Sequence, residues 1–142
     1  YKTHNYLENI WLLNEAKLAG YSDYLRVNTK GEVCETCVGN CFFIKDDEII
    51  TASSQTGLFP GVIRAVLLEA LPIEEKQISV DDLETMDGCF VTNSIVEILP
   101  VSEIAGLPKQ TVHSFSESSF SKIELIASTL KTIAQSEAIN LH

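Results

Sequence analysis

Cys34, Cys37 and Cys41 fall within eight residues, and Cys34-Glu35-Thr36-Cys37 is a C-x-x-C. A zinc or iron–sulfur site built on them needs a fourth thiolate or imidazole, for which Cys89 and His113 are the distant candidates. On a strand, Cys34 and Cys37 have opposite parity and point to opposite faces, the wrong geometry for one shared ion. A redox C-x-x-C opens a helix, whereas this one lies in strand-like sequence. Packing as small buried hydrophobes is the reading that suits these cysteines. His4, His113 and His142 meet no serine in a G-x-S-x-G elbow, and the chain contains neither G-x-G-x-x-G nor G-x4-G-K-[ST].

Other residues carry a different chemistry. In Leu58-Phe59-Pro60-Gly61-Val62-Ile63-Arg64 a polar loop passes through a Pro-Gly step directly into a helix. Unpaired N–H groups and the positive end of the helix dipole can hold an anion there, and glycine permits close approach. Glycine can equally be a plain helix cap. Asn93-Ser94 follows the apolar Cys89-Phe90-Val91 and can bind phosphate or close a turn. Glu35 stands in apolar strand sequence between Val33 and Val38, so its carboxylate faces solvent or is buried against a cation. Lys2, taken alone, is a surface lysine near the chain start.

These residues need elements to position them. Apolar residues at Tyr6, Leu7, Ile10, Leu13, Ala16 and Leu18 predict a helix over 5–19, stopped by Gly20. Asp23 to Val27 reads as a strand, and Asn28-Thr29-Lys30-Gly31 as its turn. Strand sequence from Glu32 to Lys45, interrupted at Gly39, meets Glu48 to Thr51 across Asp46-Asp47, which predicts an antiparallel meander. Thr51 to Pro60 reads as an ordered loop and Val62 to Leu71 as an apolar helix. Lys76 to Val80, Cys89 to Asn93 and Ile95 to Leu99 read as strands, with a short acidic helix over Asp81 to Thr85. Ser114 to Ser121 reads as a serine-rich linker into an amphipathic helix from Lys122 to Ala138. The pattern is mixed α/β in one unit without internal repeats.

At 142 residues the chain suits one domain that buries about two-thirds of its unfolded surface. Twenty acidic residues oppose ten basic ones, a formal charge of −10. That balance disfavours broad binding to a phosphate backbone, although a local pocket can still be positive. No apolar run is long enough to span a bilayer, so neither nucleic acid nor a membrane is an expected partner. The first residue is Tyr1, and a segment upstream is expected. Clustered cysteines do not make the disulfide framework of a small secreted domain, so a reducing, cytoplasmic location is expected.

Taken in order, the motifs carry a resemblance. They are Lys2-Thr3-His4-Asn5-Tyr6-Leu7, Gly31-Glu32-Val33-Cys34-Glu35-Thr36, Asn40-Cys41-Phe42, Gly61-Val62-Ile63-Arg64, Phe90-Val91-Thr92-Asn93-Ser94 and Glu97-Ile98-Leu99-Pro100-Val101. From Lys2 to about Gly106 the chain resembles the C-terminal half of class IV pyridoxal-phosphate enzymes, the D-amino-acid and branched-chain aminotransferases and 4-amino-4-deoxychorismate lyase. The resemblance implies a D-amino-acid-aminotransferase-like C-terminal domain, with largely antiparallel or mixed strands in a barrel-like core and flanking helices. Residues 1–142 would then be the lysine-bearing domain, the N-terminal domain being absent from this chain. It implies pyridoxal 5′-phosphate as cofactor, Lys2 as the catalytic Schiff-base lysine, and Glu35 as the acidic partner of the pyridine nitrogen. It further implies Tyr6 near the phenolic oxygen, and a phosphate cup of the Val62 and Ile63 N–H groups with Ser94 and Asn93. A small amino substrate and a homodimer are also implied. The Lys2-x-x-Asn5 spacing is more like the D-amino-acid transaminase and lyase branches than the branched-chain enzymes. Thr92-Asn93-Ser94 followed by Glu97 to Val101 looks most like the lyase, which eliminates pyruvate to leave 4-aminobenzoate for folate synthesis. No metal is implied.

Overall fold

A computed structural model describes residues 11–37, 39–58, 60–93, 97–107 and 112–140. Its framework follows from strand periodicity. In a strand, successive side chains point to opposite faces, and here the residues on both faces are apolar. Strands β3 (Asn40–Lys45), β4 (Glu48–Ala52) and β6 (Gly88–Asn93) are accordingly buried on both sides. Together with β5 (Ile73–Lys76) and β7 (Glu97–Pro100) they form a five-stranded sheet in the order β5-β4-β3-β6-β7.

That sheet separates two cores. Cys41, Phe43, Ile50 and Cys89 point into one, with Val33, Ile78, Leu83, Met86, Leu107 and Phe115. Phe42, Ile44, Ile49 and Phe90 point into the other, where Leu67 of helix α2 (Val62–Ala70) and Ile123, Ile126 and Leu130 of helix α3 (Glu117–Asn140) cover them. The Phe42 and Phe90 rings stack with centroids 5.0 Å apart and planes 2° from parallel. Helix α1 (residues 11–18) ends at Gly20, whose φ of 94° is left-handed.

Local chemistry fixes the connections. The β3–β4 hairpin turns on Asp46 and Asp47, with φ of 50° and 67°, the positive values a two-residue hairpin loop requires. Asp46 N–H donates to Asp87 Oδ2 at 2.8 Å, and Lys122 Nζ pairs with Asp47 Oδ1 at 2.9 Å. From β4 the chain crosses through α2 to β5, which pairs parallel to β4, as a strand–helix–strand unit does. Strand β1 (Leu25–Val27) pairs antiparallel with β2 (Val33–Thr36) in a separate ribbon. The two-residue strands β8 (Glu103–Ile104) and β9 (His113–Ser114) form another.

Mixed α/β architecture is therefore as expected, and several details differ. The expected meander is split: its first hairpin is the β1–β2 ribbon and its second is β3–β4 in the large sheet. Gly39 marks the break, because a Cβ there would overlap the Thr92 carbonyl oxygen. The strand expected over Lys76 to Val80 lies earlier, at Ile73–Lys76. Ile78 is instead drawn into the first core, its carbonyl accepting Val33 N–H at 2.7 Å. Ser79 opens the Val80–Thr85 3-10 turn, where Asp82 accepts its N–H in a capping box. The serine-rich linker is also corrected, since Ser114 ends β9 and α3 begins at Glu117. Ser119 is buried against Gly88, where a Cβ would come within 2.5 Å of it. Of the first expected helix, residues 5–10 lie outside the described residues.

Gly39→Ala is expected to destabilise the protein by about 3 kcal/mol, because backbone must move to admit the methyl group. Gly57→Ala, at a left-handed position with open space around it, is expected to lose about 1 kcal/mol. Urea midpoints of the two variants against the parent check this order.

Candidate functional site

Glu35 lies on β2 directly opposite Arg26 on β1. Its residue is 8% exposed, and Arg26 Nη1 meets its Oε2 at 3.2 Å. Of the two readings of an acid in apolar strand sequence, burial against a cation is the observed one. Asn28 builds the turn that sets this pairing: its Oδ1 accepts the N–H groups of Lys30 and Glu32 at 2.9 and 3.0 Å.

The loop from β4 to α2 is tied to the same ribbon. Cys34 Sγ and Asn28 Nδ2 both donate to the Thr56 carbonyl at 3.4 Å. Thr56 Oγ1 in turn donates to the Ser53 carbonyl at 2.8 Å, and Cys34, Ala52 and Leu58 make a small apolar cluster. An ordered loop thus delivers the chain to Pro60-Gly61, as its composition suggested.

Gly61 is the N-cap of α2, in extended conformation and without a side-chain cap. The first-turn N–H groups of Val62 and Ile63 therefore present the positive end of the helix dipole. Two side chains hold that end in place. Asn40 Oδ1 accepts Gly61 N–H at 3.0 Å, so close that a Cβ on residue 61 would sit 2.8 Å from it. Arg64, 5% exposed, donates through Nη2 to the Ala52 carbonyl at 3.0 Å and to Glu75 Oε1 at 2.6 Å. The helix start is thereby fixed to β3 on one side and to β4 and β5 on the other.

Strand β6 ends beside it. Thr92 pairs with Asn40 and Asn93 with Glu97; Thr92 is buried and Asn93 half-buried. Of the residues singled out from sequence, Val62, Ile63 and Asn93 stand on these neighbouring elements, and Glu35 on the adjoining ribbon. Lys2, Tyr6 and Ser94 lie outside the described residues. Sequence reasoning assigned no role to Arg26, Asn40 or Thr92. Counting outward from the Asn28–Gly31 turn would set Arg26 opposite Val33; the observed register, irregular between Arg26 and Val27, brings it opposite Glu35 instead, which no local signal announces. Asn40 is a polar residue opening an apolar strand, which alone does not say what it binds.

The cysteines serve packing. Cys34, Cys41 and Cys89 are buried in apolar clusters, whereas Cys37 is half-buried. Burial pushes the Cys41 thiol from the ordinary 9.0 up to about 12. It raises Cys89 well above the ordinary value; Cys37 is also raised, by burial first and then by the Asp23 charge. Among the described residues, no group of three or more His, Cys, Asp or Glu side chains is placed to hold a metal ion. An apolar groove of about 810 Å³ lies on the first-core side of β6, lined by Tyr21, Tyr24, Leu25, Val91, Val101 and Val112.

The "Amino-transferase class IV" family model matches residues 1–104. An aminodeoxychorismate lyase of Bacillus subtilis is 30% identical over 108 residues, covering 72% of this chain and 37% of its own length. A branched-chain aminotransferase structure from Thermoproteus uzoniensis, solved with norvaline, superposes with a TM-score of 0.78 at 26% identity, covering 90% of this chain and 42% of that one. An aminotransferase structure from Brucella abortus, bound to the cofactor PLP, superposes with a TM-score of 0.63 at 26% identity, covering 68% of this chain and 36% of that one. The chain spans about a third of the length of the curated relatives it matches.

The Cys41 shift has a pH signature. The folded thiol keeps its proton up to about 12, while the unfolded thiol releases it near the ordinary value. The stability this provides is complete below pH 9 and is lost as pH rises from about 9 towards 12. Urea midpoints measured across that range should fall, and fall less in Cys41→Ala. At pH 8, alkylation with peptide mapping should label Cys37 first, with Cys41 and Cys89 labelled only on unfolding.

Proposed function

We propose that this chain, which belongs to the class IV aminotransferase family, is the cofactor-holding part of a pyridoxal-phosphate enzyme. When bound, pyridoxal phosphate supplies an electron sink for negative charge developing on a substrate carbon. Two features of the described residues fit that group: a buried, paired carboxylate at Glu35 and an uncapped, anchored helix start at Gly61. The observation that carries the proposal is the Glu35 carboxylate, buried on β2 and held there by Arg26.

Each residue then has a task. Lys2 would supply the amine that holds the cofactor through its aldehyde, and a base able to take the substrate proton. Glu35 would keep a proton on the ring nitrogen, with Arg26 orienting its carboxylate on the ribbon. The N–H groups of Val62 and Ile63, with Asn93 and Ser94, would hold the phosphate, and Tyr6 would serve the phenolic oxygen.

For the reaction we favour 4-amino-4-deoxychorismate lyase chemistry, in which the substrate divides into pyruvate and 4-aminobenzoate, a folate precursor. Support comes from Thr92-Asn93-Ser94 with Glu97 to Val101 and from the Bacillus subtilis relative; Lys2-x-x-Asn5 fits the lyase and the D-amino-acid branch alike. Amino transfer from a D- or branched-chain amino acid is the second reading, supported by relatives named as branched-chain aminotransferases. A further N-terminal domain, a homodimer and a cytoplasmic location belong to the same proposal.

Borohydride reduction of the chain with pyridoxal phosphate, followed by peptide mapping, should give an adduct on Lys2 that Lys2→Ala abolishes. Pyruvate release from aminodeoxychorismate without a keto-acid acceptor would identify the lyase, and acceptor-dependent amino transfer the second reading. No adduct on Lys2 at saturating pyridoxal phosphate would contradict the proposal and leave a non-catalytic relative.

A further inference from the structure

Thr92 is 2% exposed, and its Oγ1 is one of two buried side-chain polar atoms among the described residues that make no hydrogen bond. The other, Arg64 Nε, belongs to a guanidinium already engaged through Nη2. Thr92 therefore stands out, because a buried hydroxyl without a partner costs stability and calls for a reason.

Its position supplies one. Thr92 on β6 and Asn40 on β3 are register partners, so their side chains leave the sheet on the same face. Asn40 reaches the N-cap of α2 from that face, through Gly61 N–H at 3.0 Å. The β3–β6 ladder thus puts the hydroxyl on the same sheet face as the Asn40 amide that anchors the uncapped start of α2. A hydroxyl can donate one hydrogen bond, and the helix end favours a negative charge.

We propose that Thr92 Oγ1 is a further donor to a phosphate group held at the start of α2, with Asn40 as the residue that positions that start. The ligand class is a phosphate monoester or inorganic phosphate. The proposal rests on the cofactor reading above only for the pyridoxal part of the ligand. In the empty protein the hydroxyl does nothing for stability, and valine has nearly the same shape. Thr92→Val should therefore weaken phosphate binding without harming the fold, whereas a merely structural threonine would show the reverse.

The test uses the 15N-labelled chain and its Thr92→Val and Thr92→Ser variants, titrated with inorganic phosphate, pyridoxal phosphate and pyridoxal. Amide shifts of Val62 and Ile63 and the melting temperature are the readouts. The parent and Thr92→Ser should bind both phosphate probes at these amides. Thr92→Val should bind both about tenfold more weakly, bind pyridoxal unchanged, and melt at the same or a higher temperature. Parent-like phosphate binding by Thr92→Val would overturn the proposal and leave the hydroxyl to an ordered water. So would equal losses for pyridoxal and pyridoxal phosphate, or no amide shift with either phosphate probe. Thr92-dependent phosphate binding without an adduct on Lys2 would uphold it while removing the enzyme reading.

Discussion

The pairing of β3 with β6 organises both the packing and the site. Along this ladder Phe42 faces Phe90 and Phe43 faces Cys89, so alternate pairs enter opposite cores and neither strand has a face to spare. A one-residue slip would exchange the two cores. At the end of the same ladder Asn40 faces Thr92, and there the apolar pairs give way to polar ones. The register that packs the phenylalanines thus also sets Asn40 where its amide meets Gly61. Gly39 is required at the junction because the Thr92 backbone occupies the space of a side chain.

An acidic chain with a formal charge of −10 is a poor general attractor of anions. The site meets this with local devices, an oriented helix end and backbone N–H groups. Arg64, the arginine nearest the helix start in sequence, does not serve as a free cation. It is buried against the Ala52 carbonyl and Glu75, and its work is to anchor α2 to the strands that flank the crossover. Arg26 is likewise committed, to Glu35. Glu35 can stay buried because that pairing offsets part of the cost of removing a carboxylate from water.

Much of this was legible in the sequence because the signals were local. Alternation in Cys41-Phe42-Phe43-Ile44, the Asp46-Asp47 turn, Gly20 and the Pro60-Gly61 step each act over a few residues. What escaped depends on contacts between distant segments. Ile78 belongs to a loop because Val33 bonds its carbonyl, and Ser119 belongs to a helix because Gly88 leaves room for it. Strands β8 and β9 are two residues long, too short for any period. The anion-binding step and the unusual position of Glu35 could be read from residue types, and the family resemblance joined them. Arg26, Asn40 and Thr92 acquire meaning only from strand register.

A structure determined with pyridoxal phosphate bound tests the central claim most directly. The expected result is a phosphate on the N–H groups of Val62 and Ile63 with Thr92 Oγ1 in hydrogen-bond range, the ring nitrogen on Glu35, and the aldehyde carbon joined to Lys2. A phosphate seated away from the start of α2, or a ring nitrogen out of reach of Glu35, would contradict that claim.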